Sequence, residues 1–560
     1  MVVKSDFKYI FVFIRYSRLL FIAMSCLLST YAFSWADTVD QVGKYQIYEI
    51  QLNLDEQVDN PFNTYLLEIE LESPNGRKFV VDGFYDGDGA GGQNGNVWKA
   101  RICPDELGMW KWKAIENNDR QAPLLGLKGQ FKCIESNYPG GLVADKQFFR
   151  FKHGGPIFLQ GNFLDFAEGS PSTHVFMSEK ISDLDRAKIL KRQRDYHKAN
   201  KINIYIANKG DYNGISTIPW AKNKSGFDLS TMDIATWTRF DKDIMEIKKS
   251  GMFAELWFFA DDSGFGKLDQ EDKNRLFRYA MARTSAFSNT LFIIALEWQE
   301  GWSRVSLRES GRYLQGHNPW GRMISVHSIP SMAPDSIRSF LSIIYKKIFK
   351  GIKYSDETWA DFIASQAGND AIPKEVNSLA VDISRTETIP HISEEFGELR
   401  KNGDLRLMRN VWANFCGGAA GGGTGDYIAS FMRFLQLSRI PFQRMKPMNE
   451  LLKHGGETAF CLAELGHHYL VYCQGREIQI NVRGDGLIGY WYKPTNSNAS
   501  LQGPFLVQAG TRRFQAPESL DDWVLWITDG SNLNSVRLYP PDGGVVVKSN
   551  NKTKKVRLAE

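Results

Sequence analysis

Hydrophobic and polar positions divide the chain into three stretches with different periodicities. Between residues 44 and 135, short apolar segments alternate with turn-rich polar ones at 73–76 and 86–95, which predicts a β-sandwich. From 145 to 445, apolar runs of strand length alternate with amphipathic stretches of helical length, which is typical of a parallel α/β architecture. From 455 onward strand-like segments return, so a second β-sandwich is predicted.

The middle stretch is predicted to form a (β/α)₈ TIM barrel. Its predicted helices lie at 181–199, 237–249, 270–286, 334–349 and 373–386, and its predicted strands at 156–163, 202–207, 253–259, 291–298, 323–327, 362–366, 391–395 and 411–417. Eight such units match a barrel with some insertion. A doubly wound sheet is the alternative, but its Gly-rich first turn is missing. The predicted chain is therefore multidomain: a barrel at 141–450, flanked by an N-terminal β-sandwich at 37–140 and a C-terminal β-sandwich at 451–560.

The first 36 residues are typical of a signal peptide. Four basic residues accompany the apolar run 19–28, and Ser34, Trp35 and Ala36 provide a small-x-small cleavage site. A retained membrane anchor is the alternative, but the run is shorter than the ~20 residues of a membrane span. We expect a secreted or periplasmic protein with no stable membrane span after signal cleavage.

Charge and cysteine content exclude several kinds of partner. The chain carries a formal net charge of +4, of which +3 belongs to the predicted signal, so +1 remains after cleavage (4 − 3). That balance gives no reason to expect nucleic acid. Cys103 and Cys133 lie in one predicted β module. The sequence leaves open whether they form a disulfide or remain two buried thiols. No Cys-x-x-Cys pair or zinc-spaced His cluster is present, so we expect no metal and no organic cofactor.

Two predicted barrel strands end in carboxylates. The apolar run at 292–296 leads to Glu297 and Glu300, and the strand beginning at His391 leads to Glu394 and Glu395. Parallel barrels place catalytic residues at the carboxyl ends of their strands. Glycoside hydrolysis uses two carboxyl groups that flank one bond. The pattern therefore favours an enzyme that hydrolyses a carbohydrate.

Each strand offers two candidate acids. Glu300 is the preferred acid/base, because it ends the fourth strand, and Glu297 is the alternate, because an unpaired charge inside a strand is costly. Glu395 is the preferred nucleophile, because the following Phe396-Gly397 suits a sharp exit from the seventh strand. Glu394 is its alternate, since consecutive strand residues face opposite sides and only one of the two is expected to face the barrel mouth.

Polar and aromatic residues at other strand ends predict a sugar-binding cleft. The candidate substrate-binding residues are Asn208, Trp257, Asp261, Trp298, Gln299, Trp302, His327 and Gln366. Two other functions remain open. One is a non-catalytic carbohydrate-binding protein on a barrel scaffold. The other is a polysaccharide lyase, in which His327 acts as base and Lys209 holds the substrate carboxylate.

Short motifs resemble a known family. Glu297-Trp298-Gln299-Glu300 resembles the strand-four W-N-E signature of clan A glycoside hydrolases, with Gln299 in place of Asn, and Glu394-Glu395-Phe396-Gly397 resembles their strand-seven G-E-F-G motif. This resemblance implies a retaining mechanism with Glu300 as acid/base and Glu395 as nucleophile. Residues 84–87 and 108–112 resemble an N-terminal β-sandwich found before such barrels. Residues 469–472 and 521–525 resemble the sandwich, named for proposed collagen binding, that follows apiosidase-like barrels.

Overall fold

The computed structural model describes residues 39–54, 58–63, 66–116, 126–167, 172–210, 215–224, 226–260, 264–329, 353–454, 458–475, 477–518, 521–531 and 546–548. The predicted signal peptide, Asp261 and the predicted helix at 334–349 lie outside these residues. The elements below all belong to one compact unit, residues 41–560.

The N-terminal region is built from strands, as its alternating pattern predicts. In spatial order they are Gln41–Gly43, Lys128–Ile134, Gly108–Glu116, Leu67–Glu72, Lys78–Tyr85, Val97–Ile102 and Ile47–Asn53. Val546–Lys548, from the C-terminal end of the described chain, adds a further strand that pairs in parallel with Ile47–Asn53. Lys78–Tyr85 pairs with Leu67–Glu72 through its first half and with Val97–Ile102 through its second half. Aromatic side chains fill the core between the strands, with the ring of Phe131 stacked on those of Tyr48 and Trp110.

Eight successive parallel strand positions form the barrel. They are Leu159–Gln160, Lys201–Ala207, Phe253–Phe259, Thr290–Ala295, a fifth position split into Ile324–Ser325 and His327–Ser328, then Ile363–Gln366, His391–Glu395 and Gly421–Gly422. Strands two to five form one sheet, which includes the first half of the split fifth strand. The second half of the fifth strand, strands six to eight and strand one form the other sheet. The Asn200 N–H donates to the Gln160 carbonyl over 3.0 Å and links strands one and two. The strands run parallel within each sheet, so their carboxyl ends meet at one end of the barrel.

The predicted eighth strand at 411–417 is wrong. Most of these residues belong to the helix Leu405–Cys416, whose N-terminus is capped by the Asp404 side chain. The apolar run is the buried face of that helix. The true eighth strand is Gly421–Gly422, and a Cβ at Gly421 would lie only 2.5 Å from the Leu159 carbonyl oxygen. A strand made of glycine carries no hydrophobic pattern, which is why it was missed.

The helices lie between the barrel strands. Asp183–Lys191 continues as the π-helix Arg192–His197. The other α-helices among the described residues are Ile234–Lys249, Gln270–Thr284, Arg304–Gly316, Pro373–Thr386, Leu405–Cys416 and Ile428–Ser438. The prediction for 373–386 is confirmed, and those for 181–199, 237–249 and 270–286 differ by a few residues at their ends. The helices at 304–316 and 428–438 were not predicted. A hairpin, Trp220–Asn223 with Gly226–Met232, follows the second barrel strand.

The remaining strands flank the barrel. The small antiparallel sheet Leu142–Asp145, Phe148–Phe151 and Pro156–Ile157 precedes its first strand. The C-terminal region has a six-stranded sheet, in the order Lys446–Pro447, Ala459–Glu464, His468–Gln474, Asp522–Thr528, Leu487–Tyr492 and Gln502–Val507. A three-stranded sheet contains Leu452–His454, Glu477–Val482 and Gly510–Gln515. Ala459–Glu464 and His468–Gln474 pair with each other as an antiparallel hairpin.

A buried cluster of charges joins the N-terminal strands to the barrel helices. Arg101 donates to Glu49 over 2.9 Å and to Asp241 over 2.7 Å. Arg283 donates to the same Asp241 over 2.9 Å and to Asp86 over 2.6 Å. Both guanidinium groups are buried, so each needs these partners to offset the cost of leaving water. The cluster fixes the N-terminal region against one side of the barrel.

The cysteines of the N-terminal region do not form a disulfide. Cys103 and Cys133 are buried free thiols, and the Arg322 guanidinium lies 3.2 Å from the Cys103 sulfur. Burial raises the pKa of Cys133 to about 12.

Within the described part of the chain, every helix is too short or too polar to cross a bilayer.

Candidate active site

Glu297 lies just beyond the end of the fourth barrel strand. That strand ends at Ala295, three residues earlier than predicted, and the chain turns at Glu297 in the left-handed conformation, with φ 41° and ψ 53°. A non-glycine residue costs about 1–2 kcal/mol in this conformation. The Glu297 N–H donates to Nδ1 of His327 over 3.3 Å, which helps to hold the turn. Such backbone strain is characteristic of functional sites.

Glu395 ends the seventh barrel strand, as predicted. Its side chain is 7% exposed. The ladder to the sixth strand shifts register here: Ser365 pairs with Ser393, but Gln366 pairs with Glu395. Glu394 is therefore the extra residue of a β-bulge, a device that redirects side chains near active sites. Because of the bulge, the side chains of Glu394 and Glu395 need not follow the strict alternation of direction that is expected of consecutive strand residues.

One cavity of about 120 Å³ brings the two carboxylates together. Among the described residues it is lined by Leu164, Leu296, Glu297, Gln366, Asn369, Glu395 and Glu398. The Gln366 side-chain amide donates a hydrogen bond to Glu297. Because Gln366 also pairs with Glu395 along the sheet, it spans the two acids. The carboxyl ends of strands four, six and seven thus meet at the cavity.

Glu300 is not brought to this cavity. It is exposed at the end of the short 3₁₀-helix Trp298–Glu300, and its N–H donates to the Glu297 carbonyl over 2.9 Å. The expectation that Glu300 ends the fourth strand is therefore wrong: the strand ends at Ala295, and Glu297 is the acid that reaches the cavity beyond it. The physical reason is the early end of the strand, since the helical turn after Glu297 carries Glu300 past the barrel mouth.

Glu394 is buried in a charge cluster behind the cavity. Lys201 donates to both of its oxygens, over 2.7 and 2.9 Å, and to Glu255 over 2.8 Å. Asn203 donates to both carboxylates, over 2.5 Å to Glu255 and 3.1 Å to Glu394. A Cβ at Gly423 would lie 2.1 Å from Oε2 of Glu394, so only glycine leaves room for it.

This cluster holds one lysine and two carboxylates with no exposure to solvent. Burial, followed by the charge of Glu255, raises the pKa of Glu394 to about 8. Burial opposes the charge on Lys201, yet the two carboxylates outweigh it and raise the Lys201 pKa. Glu394 therefore holds a proton near neutral pH, and it is paired rather than presented to a substrate.

Three predicted substrate-binding residues stabilise the turn after strand four instead of lining the cavity. Gln299 donates to the Ile329 carbonyl over 2.8 Å and accepts from the Ile329 N–H over 3.1 Å. The buried Trp298 donates to Ser328 over 3.0 Å. Trp302 is also buried, with its ring against Phe259 and the Lys273 ammonium 4.2 Å from its centre.

Three more are buried and do not line the cavity. Trp257 is buried against Phe163 and Tyr205, and its indole donates to Glu255 over 3.1 Å. Asn208 is buried and accepts from the Gly210 N–H over 2.7 Å. His327 is also fully buried, with its ring 5.3 Å from that of Trp257.

The surroundings of His327 do not suit a general base. Burial, and then the charge of Lys201, lower the pKa of His327 to about 3. Its Nδ1 accepts the Glu297 N–H, and the ring does not line the cavity. Lys209 lies over the ring of Phe265, 4.6 Å from its centre. The arrangement that a lyase would require is not assembled from these residues.

Sequence reasoning missed some cavity residues. Leu164 and Asn369 follow the first and sixth strands in loops, where nothing in their surroundings marks them as functional. Glu398 lies three residues after Glu395, and its acidity was the one available signal. Its carboxylate forms an ion pair with Arg400 at the rim. Of the predicted substrate-binding residues that the structure describes, Gln366 alone lines the cavity.

Comparisons with solved structures agree with the barrel fold. A proposed glycoside hydrolase from Bacteroides vulgatus ATCC 8482 superposes with a TM-score of 0.66 at 15% identity, over 87% of this chain and 99% of that chain. A glycoside hydrolase family 5 protein from the same organism gives a TM-score of 0.54 at 14% identity, over 72% and 96%. The chain has a glycoside hydrolase-like TIM-barrel fold. At these identities the likeness shows the fold alone.

The comparison with protein families matches a smaller part of the chain than the structural comparison does. A domain of unknown function, DUF5060, matches residues 41–117, which lie among the N-terminal strands. No curated protein matches the sequence.

A third solved structure, described as a glycoside hydrolase, gives a TM-score of 0.53 at 15% identity, over 70% of this chain and 98% of that chain.

Proposed function

We propose that this protein is a glycoside hydrolase that cleaves O-glycosidic bonds of a poly- or oligosaccharide. The observation that carries the proposal is the shared cavity. Glu297 and Glu395 both line it at the barrel mouth, and Gln366 connects them. Two carboxyl groups at one site are what glycoside hydrolysis requires. The glycoside hydrolase-like fold is consistent with this assignment.

The surroundings of the two acids suggest their roles. Glu395 is buried and held by strand pairing, which suits a nucleophile that must meet the anomeric carbon in one fixed direction. Glu297 is half-buried in a turn, where its carboxyl group can exchange protons with the leaving oxygen and with water. Glu297 protonates the leaving group, Glu395 forms the glycosyl-enzyme, and water activated by Glu297 then releases it.

Retention of configuration is part of the proposal. Retaining enzymes place their carboxyl groups about 5–5.5 Å apart, whereas inverting enzymes leave about 6.5–9.5 Å for a water molecule. The anomer first released can be identified by proton NMR within the first minutes of hydrolysis. Retained configuration is expected, and an inverted first product would overturn this part of the proposal.

Activity of matched variants tests the assignment. The purified protein is screened on a panel of polysaccharides and aryl glycosides beside Glu297→Gln, Glu395→Gln and the control Glu300→Gln. We expect Glu395→Gln to lose turnover and Glu297→Gln to lose about 10²–10⁴-fold, while Glu300→Gln keeps wild-type rates. Circular dichroism confirms that each variant is folded. Wild-type hydrolysis by Glu395→Gln would overturn the proposal.

A further inference from the structure

A second cleft, of about 1040 Å³, lies outside the catalytic cavity and shares none of its lining residues. Most of its lining comes from three parts of the chain. They are the π-helix Arg192–His197 with the residues that follow it, the first turns of the helix Ile428–Ser438, and residues 495–498 of the C-terminal region. The barrel and the C-terminal region therefore build the cleft together.

The lining combines aromatic rings with hydrogen-bonding groups. Tyr196 is 43% exposed, and the Arg192 guanidinium lies 4.6 Å from the centre of its ring. Tyr427 lines the same cleft and is half-buried. Asn402 and Asn498 add exposed amides. A tyrosine offers both an apolar face and a polar edge, which suits a sugar ring whose faces are apolar and whose rim carries hydroxyl groups.

The wall around Tyr427 is held in a strained shape. Tyr427 has φ 52°, in the left-handed region that a tyrosine rarely adopts. The buried Asp426 fixes it: one oxygen accepts the Tyr427 N–H over 2.6 Å, and the other accepts the N–H groups of Gly403 and Asp404, each over 2.7 Å. The opposite wall is a π-helix, an element that is frequent at functional sites.

The cleft and the catalytic cavity share one loop. Glu398 lines the cavity and Asn402 lines the cleft, four residues along the chain, so their Cα atoms are at most about 14 Å apart. Arg192 ties the loop to the cleft wall by donating to Asn402 over 3.0 Å. Arg192 and His197 both contact Asp165, the neighbour of the cavity residue Leu164.

We propose that this cleft binds a second segment of the same carbohydrate chain that is cleaved at Glu297 and Glu395. The substrate is then a polysaccharide long enough to occupy both sites, rather than a disaccharide. This inference rests on the proposed function. Tyr196 is the residue that supplies the stacking surface, because its ring is the exposed one.

Binding and hydrolysis are measured separately. Binding of barley β-glucan, konjac glucomannan and xylan is followed by affinity electrophoresis in the inactive Glu395→Gln background, with Tyr196→Ala, Tyr196→Phe and the control Leu506→Ala. Leu506 is 85% exposed and lines neither site. Loss of one stacked ring should weaken binding about three- to tenfold in Tyr196→Ala, while Tyr196→Phe and Leu506→Ala bind like the parent.

The same substitutions in the active enzyme give the second readout. The ratio of kcat/KM on the polymer to kcat/KM on an aryl disaccharide should fall about three- to tenfold in Tyr196→Ala. If the wild type hydrolyses a polymer and Tyr196→Ala matches it in both readouts, the cleft proposal is overturned and the catalytic assignment stands. If no glycoside is hydrolysed but binding depends on Tyr196, the catalytic proposal fails and the cleft stands as a carbohydrate site. Absence of both binding and hydrolysis overturns both.

Discussion

The side-chain amide of Gln366 donates a hydrogen bond to the carboxylate of Glu297 across the barrel mouth. The two residues come from the sixth and fourth strand ends, and they line the same cavity. Along the sheet, Gln366 is also the partner of Glu395. One amide therefore positions one acid and lies beside the other, which makes Gln366 the residue through which the pair is aligned.

Replacing Gln366 with methionine tests this alignment. The variant keeps the length of the side chain but loses the donor that favours the ionised form of Glu297. We expect kcat/KM to fall about 10–100-fold, which corresponds to roughly 1.4–2.8 kcal/mol of transition-state stabilisation. The alkaline limb of the pH–rate profile should move to higher pH. An unchanged rate and profile would show that the hydrogen bond has no part in catalysis.

The choice between Glu297 and Glu300 predicts a dependence on the leaving group. An acid catalyst matters most when the leaving group is a poor one, such as a sugar hydroxyl, and least when it is an activated phenolate. Glu297→Gln should therefore lose far more activity on a natural glycoside than on a dinitrophenyl glycoside. Glu300→Gln should show no such difference. The reverse result would return the acid/base role to Glu300.

The buried cluster of Lys201, Glu255 and Glu394 predicts a pH-dependent stability. The pKa of Glu394 is raised from 4.5 to about 8, so the folded protein holds an extra proton over this range. The associated stability is fully present below pH 4.5 and is lost as the pH rises through about 8. Urea unfolding should show the free energy of unfolding falling across this range in the wild type and falling less in Glu394→Gln.

Removal of the lysine is the complementary change. Lys201→Met leaves two buried carboxylates without their cation, and we expect a loss of about 3–5 kcal/mol in the free energy of unfolding. The steeper loss should appear as the pH rises through about 8, where Glu394 loses its proton. Equal stability of Lys201→Met and the wild type at neutral pH would contradict the assigned charge cluster.

The interface between the N-terminal strands and the barrel makes a further prediction. Arg283→Met removes the cation between Asp86 and Asp241, both of which are buried, and should cost about 3–5 kcal/mol in chemical unfolding. The matched control is Arg77→Met, whose ion pair with Asp105 is exposed and should contribute less than about 1 kcal/mol. Similar effects of the two substitutions would argue against a structural role for the buried cluster.

Much of the barrel was predictable because its strands are buried on both faces. The strands Phe253–Phe259 and His391–Glu395 have the predicted bounds, since continuous buried runs mark parallel strands directly. The eighth strand was not predictable from hydrophobicity, because it consists of Gly421 and Gly422. Its predicted place was taken by a helix whose buried face carries Val411, Trp412 and Phe415.

The site was predictable only in outline. The positions of two acidic strand ends indicated a carboxylate pair, but the identity of the fourth-strand acid depended on where that strand ends. A left-handed residue at Glu297 and a bulge at Glu394 are set by tertiary contacts, and neither leaves a periodic signal. The aromatic residues near the site were assigned to substrate, yet Trp257, Trp298 and Trp302 are buried in the protein.

Covalent trapping of the nucleophile tests the central claim most directly. Once the preferred sugar is known, the corresponding 2-deoxy-2-fluoro glycoside with a dinitrophenolate leaving group is incubated with the wild type, and the labelled peptide is mapped by mass spectrometry. The proposed retaining mechanism predicts one fluoroglycosyl adduct, carried by Glu395 and absent from Glu395→Gln. An adduct on Glu394, Glu398 or another residue, in an enzyme that turns over the natural substrate, would contradict it.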